Sequence, residues 1–596
     1  MVTRLPVGGP SAALSLRPRH AAGHRPGEPP VGPDARGVGP RCPSGQLERV
    51  RIATDRRRSA GRPLAAAAVD APPTARSSPG AKHVREADVI VIGSGIGGLC
   101  CAALLARYGV NVVVVESHYT PGGAAHTWMS GDYHFESGPS LYSGMSSRGK
   151  GANPLAHVFQ AIDEELELLT YNAWNIFFPE GHWLAQVGAG EFAKIAEEVR
   201  GPQAVKEWQA LEAYLKDFMS SAAMLPPAAL RADLGAALTV GGRYLPDLIK
   251  GGASTQKLTV PFSEMIKGII TDEFLLNYID LLSFLLSGLP ADGTIAAEVA
   301  YMFNEWYRPN CCLEFPKGGS QAMTDGLVRG LEKFGGKLLL RSHVESVLVE
   351  GGRAVGVELR GGRVIKARKA VVSNASMWDT LSLLPAGSAL EELKNKAEKT
   401  PLNPSFMHLH LGFDASGLDD VDLHHIIVNS WENGVDSEQN VALISIASVI
   451  DPDFAPPGKH SLHAYVPATE PWDLWKDIDR RSEEYKRLKE ERSQVLWNAV
   501  ERVVPDIRKR AEVVHVGTPL THQRFLRRHK GTYGPGIKAG EGTFPGPSTP
   551  IPGLYCCGDS TFPGIGLPAV AASGTIAANT LVPIWDHWKM LDALGV

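Results

Sequence analysis

The sequence predicts an α/β fold, because two buried strands, a helix between them and a glycine-rich turn follow one another near residue 90. Residues 88–92 are an apolar run typical of a buried strand, residues 96–108 are rich in Leu and Ala, and residues 112–115 are four valines. The motif Gly-x-Gly-x-x-Gly joins the first strand to the helix. Strand, glycine turn, helix and strand in this order form the β-α-β unit that binds dinucleotides.

Each glycine of this motif, and the acid that follows the second strand, has a physical role in binding a dinucleotide. Gly93 permits a tight turn, Gly95 lets a pyrophosphate approach the backbone, and Gly98 lets the helix pack close to the strand. The helix N-terminus offers free N–H groups and the positive end of its dipole to phosphates. Glu116 ends the second strand 18 residues after Gly98, where its carboxylate can accept hydrogen bonds from a ribose diol.

A second strand and helix near the C-terminus indicate that the dinucleotide is a flavin. Residues 554–557 are predicted to form a strand, Gly558-Asp559 a turn, and residues 569–580 a helix of small side chains. Asp559 can accept a hydrogen bond from a ribityl hydroxyl. The N-terminus of the following helix can stabilise negative charge on the pyrimidine edge of the flavin ring.

Length and charge divide the chain into a basic tail and an acidic body. A chain of 596 residues is too long for one ordinary core, so at least two domains are expected. Residues 1–80 contain 13 Arg, no Lys and 5 acids, a net charge of +8, and the whole chain carries −4, so the remainder carries −12. The acidic body argues against a nucleic-acid partner. The tail is typical of an organellar transit peptide, with an ordinary disordered tail as the alternative.

The cysteines and the hydropathy exclude several classes of protein. The seven cysteines have no metal-ligand spacing and no Cys-x-x-Cys, so we expect no metal and reduced thiols in an intracellular or stromal setting. A redox role for Cys311-Cys312 is the minority interpretation. No run of 18 apolar residues predicts a membrane span. No Ser/His/Asp or Cys/His pattern points to a hydrolase.

The remaining chain is predicted to alternate between helical and β segments. Residues 151–310 have apolar spacing near 3.6, which predicts an insertion made of helices. Residues 337–372 have paired glycines between short apolar runs, which predicts a β-meander. Residues 472–504 have alternating charges beside an apolar stripe, which predicts one long helix.

The chain resembles the carotenoid isomerase and phytoene desaturase group of FAD-dependent enzymes over residues 86–590. The Gly-Thr-Pro stretch at 517–519 and the Gly-Thr-Tyr-Gly stretch at 531–534 most resemble the plant and cyanobacterial carotenoid isomerase branch or a close paralogue. The other matching stretches are 93–98 with Glu116, 121–123, 135–140, 315–319, 330–336, 372–375, 520–525 and 558–564.

The resemblance implies a discontinuous Rossmann-like FAD-binding domain with an inserted mixed α+β substrate domain. The FAD-binding domain would take residues 86–150, 315–400 and 550–590, and the substrate domain residues 151–314 and 401–549. With the motifs above, the resemblance assigns FAD contacts to Gly93, Ser94, Gly95, Ile96, Gly97, Gly98, Glu116, Gly122, Gly123, Ala124, Gly138, Pro139, Ser140, Val344, Gly558, Asp559, Leu567, Pro568 and Ala569.

The resemblance also implies the reaction, which is the cis–trans isomerisation of a poly-cis carotene to its all-trans form by reduced flavin without net redox change. A carotenoid or retinoid desaturase, saturase or hydratase would use the same motifs, and an amine oxidase-like flavoenzyme or a non-catalytic flavoprotein at the thylakoid are further alternatives. The candidate catalytic side chains are Lys317, Glu136 and His522, and His126 and Tyr533 are candidates for the flavin surroundings.

The implied partners follow from this chemistry. The substrate is an apolar polyene taken from a membrane, and a quinone or a reduced flavin is the electron partner. Trp585 and Trp588 lie three residues apart in the C-terminal segment, where they can contact a lipid interface peripherally or dock on the protein itself. The implied location is the chloroplast, in the stroma or on plastid membranes.

Overall fold

The computed structural model describes residues 76–222, 225–246, 249 and 257–596. The predicted transit peptide and Cys42 lie outside these residues. In chain order the strands are β1 (Glu86–Ile92), β2 (Val112–Val115), β3 (Thr127–Ser130), β4 (Tyr133–Glu136), β5 (Leu168–Tyr171), β6 (Ala173–Phe178), β7 (Gly181–Gln186), β8 (Leu313–Pro316), β9 (Lys337–Leu339), β10 (Val344–Glu350), β11 (Arg353–Leu359), β12 (Arg363–Ser373), β13 (Leu402–Asn403), β14 (Ser405–Asp414), β15 (His424–Val428), β16 (Val441–Ser445), β17 (Lys459–Glu470), β18 (Ala511–Gly517), β19 (Gly534–Pro535) and β20 (Leu554–Cys556).

The helices surround these strands and connect them. In chain order they are α1 (Ile96–Arg107), α2 (Pro154–Ala161), α3 (Glu191–Arg200), α4 (Pro202–Ala222), α5 (Gly235–Thr239), α6 (Phe262–Met265), α7 (Glu273–Ser287), α8 (Ala296–Trp306), α9 (Gly319–Lys333), α10 (Met377–Ser382), α11 (Ser388–Lys399), α12 (Glu483–Glu501), α13 (Ile507–Arg510), α14 (Pro519–Leu526), α15 (Leu567–Thr580) and α16 (Ile584–Leu594). Among the described residues, none of these helices combines the length and the apolarity needed to cross a membrane.

The first sheet has seven strands in the order β10-β11-β12-β1-β2-β9, with β20 beside β12. The strands β9, β2, β1 and β12 are parallel, and β20 is parallel to β12. Helix α1 is buried between this sheet and α15, with Cys100 and Cys101 fully inside the core. The predicted α/β class with a nucleotide-binding sheet assembled from separate stretches of chain is confirmed.

The second sheet also has seven strands, in the order β18-β14-β17-β16-β15-β6-β7. All its pairs are antiparallel except β15 with β6. One apolar cluster packs it against α12, and another packs β6, β15 and β16 against α3, α4, α7 and α8. This arrangement brings α7 and the second sheet to the cavity described below, which both of them line.

Three sequence-based assignments are corrected by the structure. Residues 151–310 are not all helical, since β5, β6 and β7 lie there and two of them complete the second sheet. Strand β9 belongs to the parallel part of the first sheet and not to a meander. The long helix begins only at Glu483, because the Ser482 hydroxyl caps it by accepting from the N–H of Tyr485 at 3.1 Å.

Candidate functional site

The glycine turn between β1 and α1 brings bare backbone to the wall of a cavity. Gly93 has a φ of 91°, in the left-handed region that favours glycine. A Cβ on Gly98 would lie 2.3 Å from the Gly93 carbonyl oxygen, so glycine is needed for α1 to begin this close to β1. Gly95, Ile96 and Gly97 line the cavity. The first turn of α1 therefore presents N–H groups where a pyrophosphate can bind.

Glu116 connects the end of β2 to this turn. Its Oε2 accepts hydrogen bonds from the N–H of Ser94 at 2.8 Å and from the Ser94 hydroxyl at 2.7 Å. Its Oε1 accepts from the N–H of His118 at 2.7 Å. The carboxylate is buried and lines the cavity, so it is held in place where a ribose diol would meet it.

Asn374 is a cavity residue that the motifs did not single out, although it lies in the matching stretch 372–375. Its side chain packs among the glycines, because a Cβ on Gly95 would lie 2.8 Å from its Nδ2 and a Cβ on Gly558 would lie 2.7 Å from its Oδ1. Its N–H donates to the Ile92 carbonyl at 2.9 Å, which fixes it at the end of β1. Asn374 thus links the N-terminal and C-terminal nucleotide motifs.

Arg528 fastens a loop over the C-terminal motif. Its guanidinium forms a half-buried ion pair with Asp559 and donates at 2.7 Å to each of the carbonyl oxygens of Thr532 and Tyr533. Asp559 and Tyr533 line the cavity, and Leu567 lines it at the first turn of α15. The ion pair therefore positions both the carboxylate and the loop that covers it. No sequence motif pointed to Arg528.

The cavity has a volume of about 640 Å³ and extends from the glycine turn to an apolar part between α7 and the second sheet. The side chains of this apolar part are those of Phe284, Leu285, Phe406, Leu443, Tyr465, Tyr533 and Ile565. The site fits FAD, because glycines form a cradle that any Cβ would fill and carboxylates lie at both ends. We expect Glu116 to hold the ribose and Asp559 the ribityl chain, with the flavin ring at the start of α15.

Most sequence-assigned FAD contacts lie on the cavity wall. Those that line it are Gly93, Gly95, Ile96, Gly97, Glu116, Gly122, Gly123, Ala124, Gly138, Pro139, Val344, Gly558, Asp559 and Leu567. Those outside the lining are Ser94, Gly98, Ser140, Pro568 and Ala569. Ser94 and Gly98 lie behind the cavity wall, where Ser94 holds Glu116 by hydrogen bonds and Gly98 lets α1 begin close to β1. The Ser140 hydroxyl is 2.8 Å from that of Ser445.

The three candidate catalytic residues lie in different places. His522 lines the cavity, and its Nε2 is 2.6 Å from Nε2 of His408. Glu136 lies outside the lining, where it accepts from the N–H of Ser320 at 3.0 Å and where burial raises its pKa to about 7. Lys317 is 46% exposed, and its Nζ is 3.0 Å from Oε1 of Glu167. Only His522 is therefore placed to meet a substrate in this cavity.

Of the two further candidates, Tyr533 lines the cavity and His126 does not. His126 is buried outside the lining, with its Nδ1 2.7 Å from the Gly123 carbonyl oxygen and its Nε2 3.0 Å from the Ser137 hydroxyl. Burial lowers its pKa to about 4, so it is neutral at physiological pH. Tyr533 lines the cavity beside Phe406, with ring centroids 5.1 Å apart.

Replacing Arg528 by alanine is expected to weaken FAD binding by about tenfold to a hundredfold. The change removes a charge-assisted bond worth about 1.5–3 kcal/mol and releases the loop at Thr532 and Tyr533. Titration of the deflavinated protein with FAD, followed by flavin fluorescence, measures the effect. Lys530→Ala is the control, since Lys530 is exposed in the same loop and does not line the cavity. Equal affinities for the two variants would contradict the role given to Arg528.

Comparisons with known proteins agree with the assignment of an FAD-binding site to this cavity. The family described as flavin containing amine oxidoreductase matches residues 96–582. Prolycopene isomerase 1, chloroplastic, of an Oncidium hybrid cultivar is 30% identical over 504 residues, which are 84% of each chain. All-trans-retinol 13,14-reductase of Danio rerio is 26% identical over 79% of this chain and 82% of its own. Phytoene desaturase (lycopene-forming) of Pseudescherichia vulneris is 25% identical over 83% and 98%.

A solved structure supports the fold. An oxidoreductase from Methanosarcina mazei superposes with a TM-score of 0.53 at 18% identity and covers 82% of this chain and 98% of its own. At this identity the likeness concerns the fold alone.

Proposed function

The chain belongs to the family of flavin containing amine oxidoreductases, and we propose that it isomerises a poly-cis carotene to the all-trans form without net redox change. It is an FAD-dependent enzyme of the carotenoid-modifying group. The observation that carries the proposal is the 30% identity to a prolycopene isomerase over 84% of both chains. The apolar and aromatic part of the cavity suits a polyene and gives a polar amine little to bind. The chloroplastic names of plant relatives support a plastid location.

The chain's own residues provide the conditions for this reaction. Reduced FAD would supply electron density to the polyene and so lower the bond order of one cis double bond. The N-terminus of α15 would stabilise negative charge at the flavin ring. Phe406, Tyr465 and Tyr533 would hold the polyene by apolar contact, and the loop fastened by Arg528 would exclude water. His522 is an imidazole on the cavity wall that can exchange a proton with the substrate.

The test is product analysis after anaerobic incubation of the full chain with reduced FAD and a poly-cis carotene in liposomes. Chromatography with mass detection should give a new retention time at unchanged mass. A gain or loss of two hydrogens would replace the proposal by a saturase or a desaturase, and a gain of water by a hydratase. No conversion of any carotenoid offered to the flavin-loaded protein would remove the carotenoid proposal. An amine oxidase or a non-catalytic flavoprotein would then be the alternatives.

We also propose that the protein takes its substrate from a lipid surface through an apolar patch near the C-terminus. The patch consists of Leu234 and Leu238, which are 92% and 60% exposed, and Trp585, which is 64% exposed. The segment around α5 and helix α16 pack together here, because Nε1 of Trp588 donates to the Thr239 hydroxyl at 3.1 Å. Exposed large apolar side chains on adjoining segments favour an interfacial surface.

Replacing both Leu238 and Trp585 by serine is expected to reduce the binding of the protein to liposomes at least about tenfold. Each side chain loses about 1.5–3 kcal/mol of burial in the lipid interface. Co-sedimentation with phospholipid vesicles measures the bound fraction. Leu474→Ser is the control, because Leu474 is 41% exposed on the connection before α12. Unchanged sedimentation of the double variant would show that the patch does not bind the lipid surface.

A further inference from the structure

Three imidazole rings form a hydrogen-bonded row that begins at the cavity wall and ends inside the second sheet. His522, on α14, has its Nε2 2.6 Å from Nε2 of His408, on β14. The Nδ1 of His408 is 2.8 Å from Nε2 of His463, on the neighbouring strand β17. Consecutive rings are nearly parallel, with centroids 4.8 and 5.1 Å apart. His408 and His463 are buried, and His522 and His408 line the cavity.

The middle ring makes this row directional. A neutral imidazole carries one N–H, so a ring that is bonded at both nitrogens donates at one and accepts at the other. If His408 donates through Nε2, then His522 accepts at its own Nε2. His522 then carries its proton on Nδ1, which is not bonded to His408. If His408 donates through Nδ1, then Nδ1 of His522 is bare. The row can therefore present either an acid or a base at its cavity end.

The surroundings keep the row neutral. Burial, followed by the neighbouring histidines, holds the pKa of His408 and of His463 well below the usual value, and burial lowers that of His522 to about 3. The groups that face the row include His410, stacked on His463 at 4.4 Å, Tyr465, whose centroid is 4.9 Å from that of His463, and Arg528, which disfavours charge on His522. A neutral row transfers protons by exchanging tautomers and does not store charge.

The inner end of the row has an unused nitrogen. Nδ1 of His463 is buried and has no hydrogen-bond partner among the described residues. Its strand neighbour is His410, whose other cross-strand partner, His515, is exposed and has its Nε2 2.9 Å from the Ser130 hydroxyl. The row thus lies between the cavity and a histidine-lined side of the sheet that reaches solvent.

We infer that His463, His408 and His522 form a proton relay that supplies a substrate carbon in the cavity with a proton and takes a proton back from it. The inference rests on the proposed function. Nδ1 of His522 gives its proton to one carbon of a cis C=C, and the π electron pair forms the new C–H bond. His408 then protonates Nε2 of His522, His463 protonates Nδ1 of His408, and a solvent proton enters at Nδ1 of His463. After rotation about the former double bond a C–H bond breaks, its electron pair restores the π bond, and the protons return along the row.

This sequence of steps has a consequence that isotopes can measure. The substrate carbon carries two hydrogens in the intermediate stage, and either of them can leave. In D₂O the isomerised carotene should therefore acquire deuterium at one carbon, while the number of electrons stays unchanged. A reaction that proceeds by electron density alone would leave the product without deuterium.

The decisive variant is His463→Gln in the full-length, FAD-loaded protein. A glutamine amide can still hydrogen-bond to Nδ1 of His408, but it cannot take a proton at one atom and release it at another. We expect kcat to fall about 10²-fold or more with KM retained, since a positioned proton donor contributes about 10²–10⁴-fold, and deuterium uptake to disappear. His463→Gly should regain both when free imidazole is added. His425→Gln is the control, since His425 is buried in the same sheet and its Nε2 is 3.0 Å from the Asp422 carbonyl oxygen.

A second measurement does not depend on turnover. NMR of the ¹⁵N-histidine-labelled, FAD-loaded chain should show two N–H···N couplings at the ring nitrogens of His408 and averaging between its tautomers. Both signals should be absent from the His463→Gln variant and present in the His425→Gln variant. Averaging without conversion of carotene would reject the isomerase and retain the relay. Fixed tautomers, or wild-type deuterium uptake and rate in His463→Gln, would overturn the relay whether or not the protein is an isomerase.

Discussion

Replacing Gly98 by alanine is expected to deprive the purified protein of its flavin. The added methyl group would lie 2.3 Å from the Gly93 carbonyl oxygen and 3.1 Å from Cβ of Asn374, and the first of these contacts is with backbone. Helix α1 must then move away from β1, which costs about 1–3 kcal/mol or more and misaligns the N–H groups meant for the pyrophosphate. The ratio of flavin to protein absorbance after purification measures the loss, and thermal unfolding measures the destabilisation.

The matched control is Gly546→Ala. Gly546 has no atom within 4 Å of the position a Cβ would take and does not have the left-handed φ that would strain alanine. This variant should keep its flavin and its unfolding temperature. A Gly98→Ala protein that retained a full complement of flavin would contradict the close-packing role of Gly98 and the pyrophosphate position inferred from it.

The nucleotide-binding part of the fold could be predicted because its determinants are local. The glycines from 93 to 98, the four valines of β2 and Glu116 lie within 30 residues, and each follows a rule of backbone conformation or helix packing. The C-terminal Gly558-Asp559 turn is equally local. Joining the two motifs into one site needed the resemblance, because β12 and β20 pair across nearly 200 residues of chain.

The residues that sequence reasoning missed owe their places to distant partners. His408 meets His522 across 114 positions, and Arg528 meets Asp559 across 31. Neither spacing corresponds to a helix or strand period, so no pattern in the sequence signals these pairs. Lys317 illustrates the converse: it adjoins a matching glycine pair in sequence, yet it extends outward to Glu167 across 150 positions.

The prediction that residues 151–310 are helical was wrong where the second sheet takes two of its strands from that segment. Strands β6 and β7 form a hairpin that attaches to β15 by a parallel pairing with residues about 250 positions later. An apolar run such as β6, buried on both faces, has no period-2 pattern and is as compatible with a buried helix. Tertiary pairing, and not local propensity, decides its conformation.

Acidification from pH 6.5 to about pH 4.5 is expected to destabilise the protein by several kcal/mol. Burial lowers the pKa of several histidines to about 3 or 4, against 6.5 when unfolded; they are His126, His410, His424, His425, His522 and His587. In this pH range the unfolded chain binds protons at these six sites and the folded protein does not. The contribution of these histidines to stability is therefore complete above pH 6.5 and is lost as the pH falls toward 4.

Three carboxylic acids, of which Glu136 and Glu305 are buried and Glu298 is half-buried, oppose this trend and set its size. Burial raises the pKa of Glu136 to about 7, of Glu298 to about 8 and of Glu305 to about 6, so the folded protein keeps protons there that the unfolded chain releases above pH 4.5. Burial also holds the pKa of His408 and His463 well below the usual value, so eight histidines stand against three acids. They leave a net uptake of about five protons on unfolding near pH 5.5, or about 7 kcal/mol per pH unit. Urea unfolding at pH 7.5, 6.5 and 5.5 measures this slope. The His424→Gln variant should lower it by about one proton, and a slope near zero in the wild-type protein would show that these histidines are charged in the folded state.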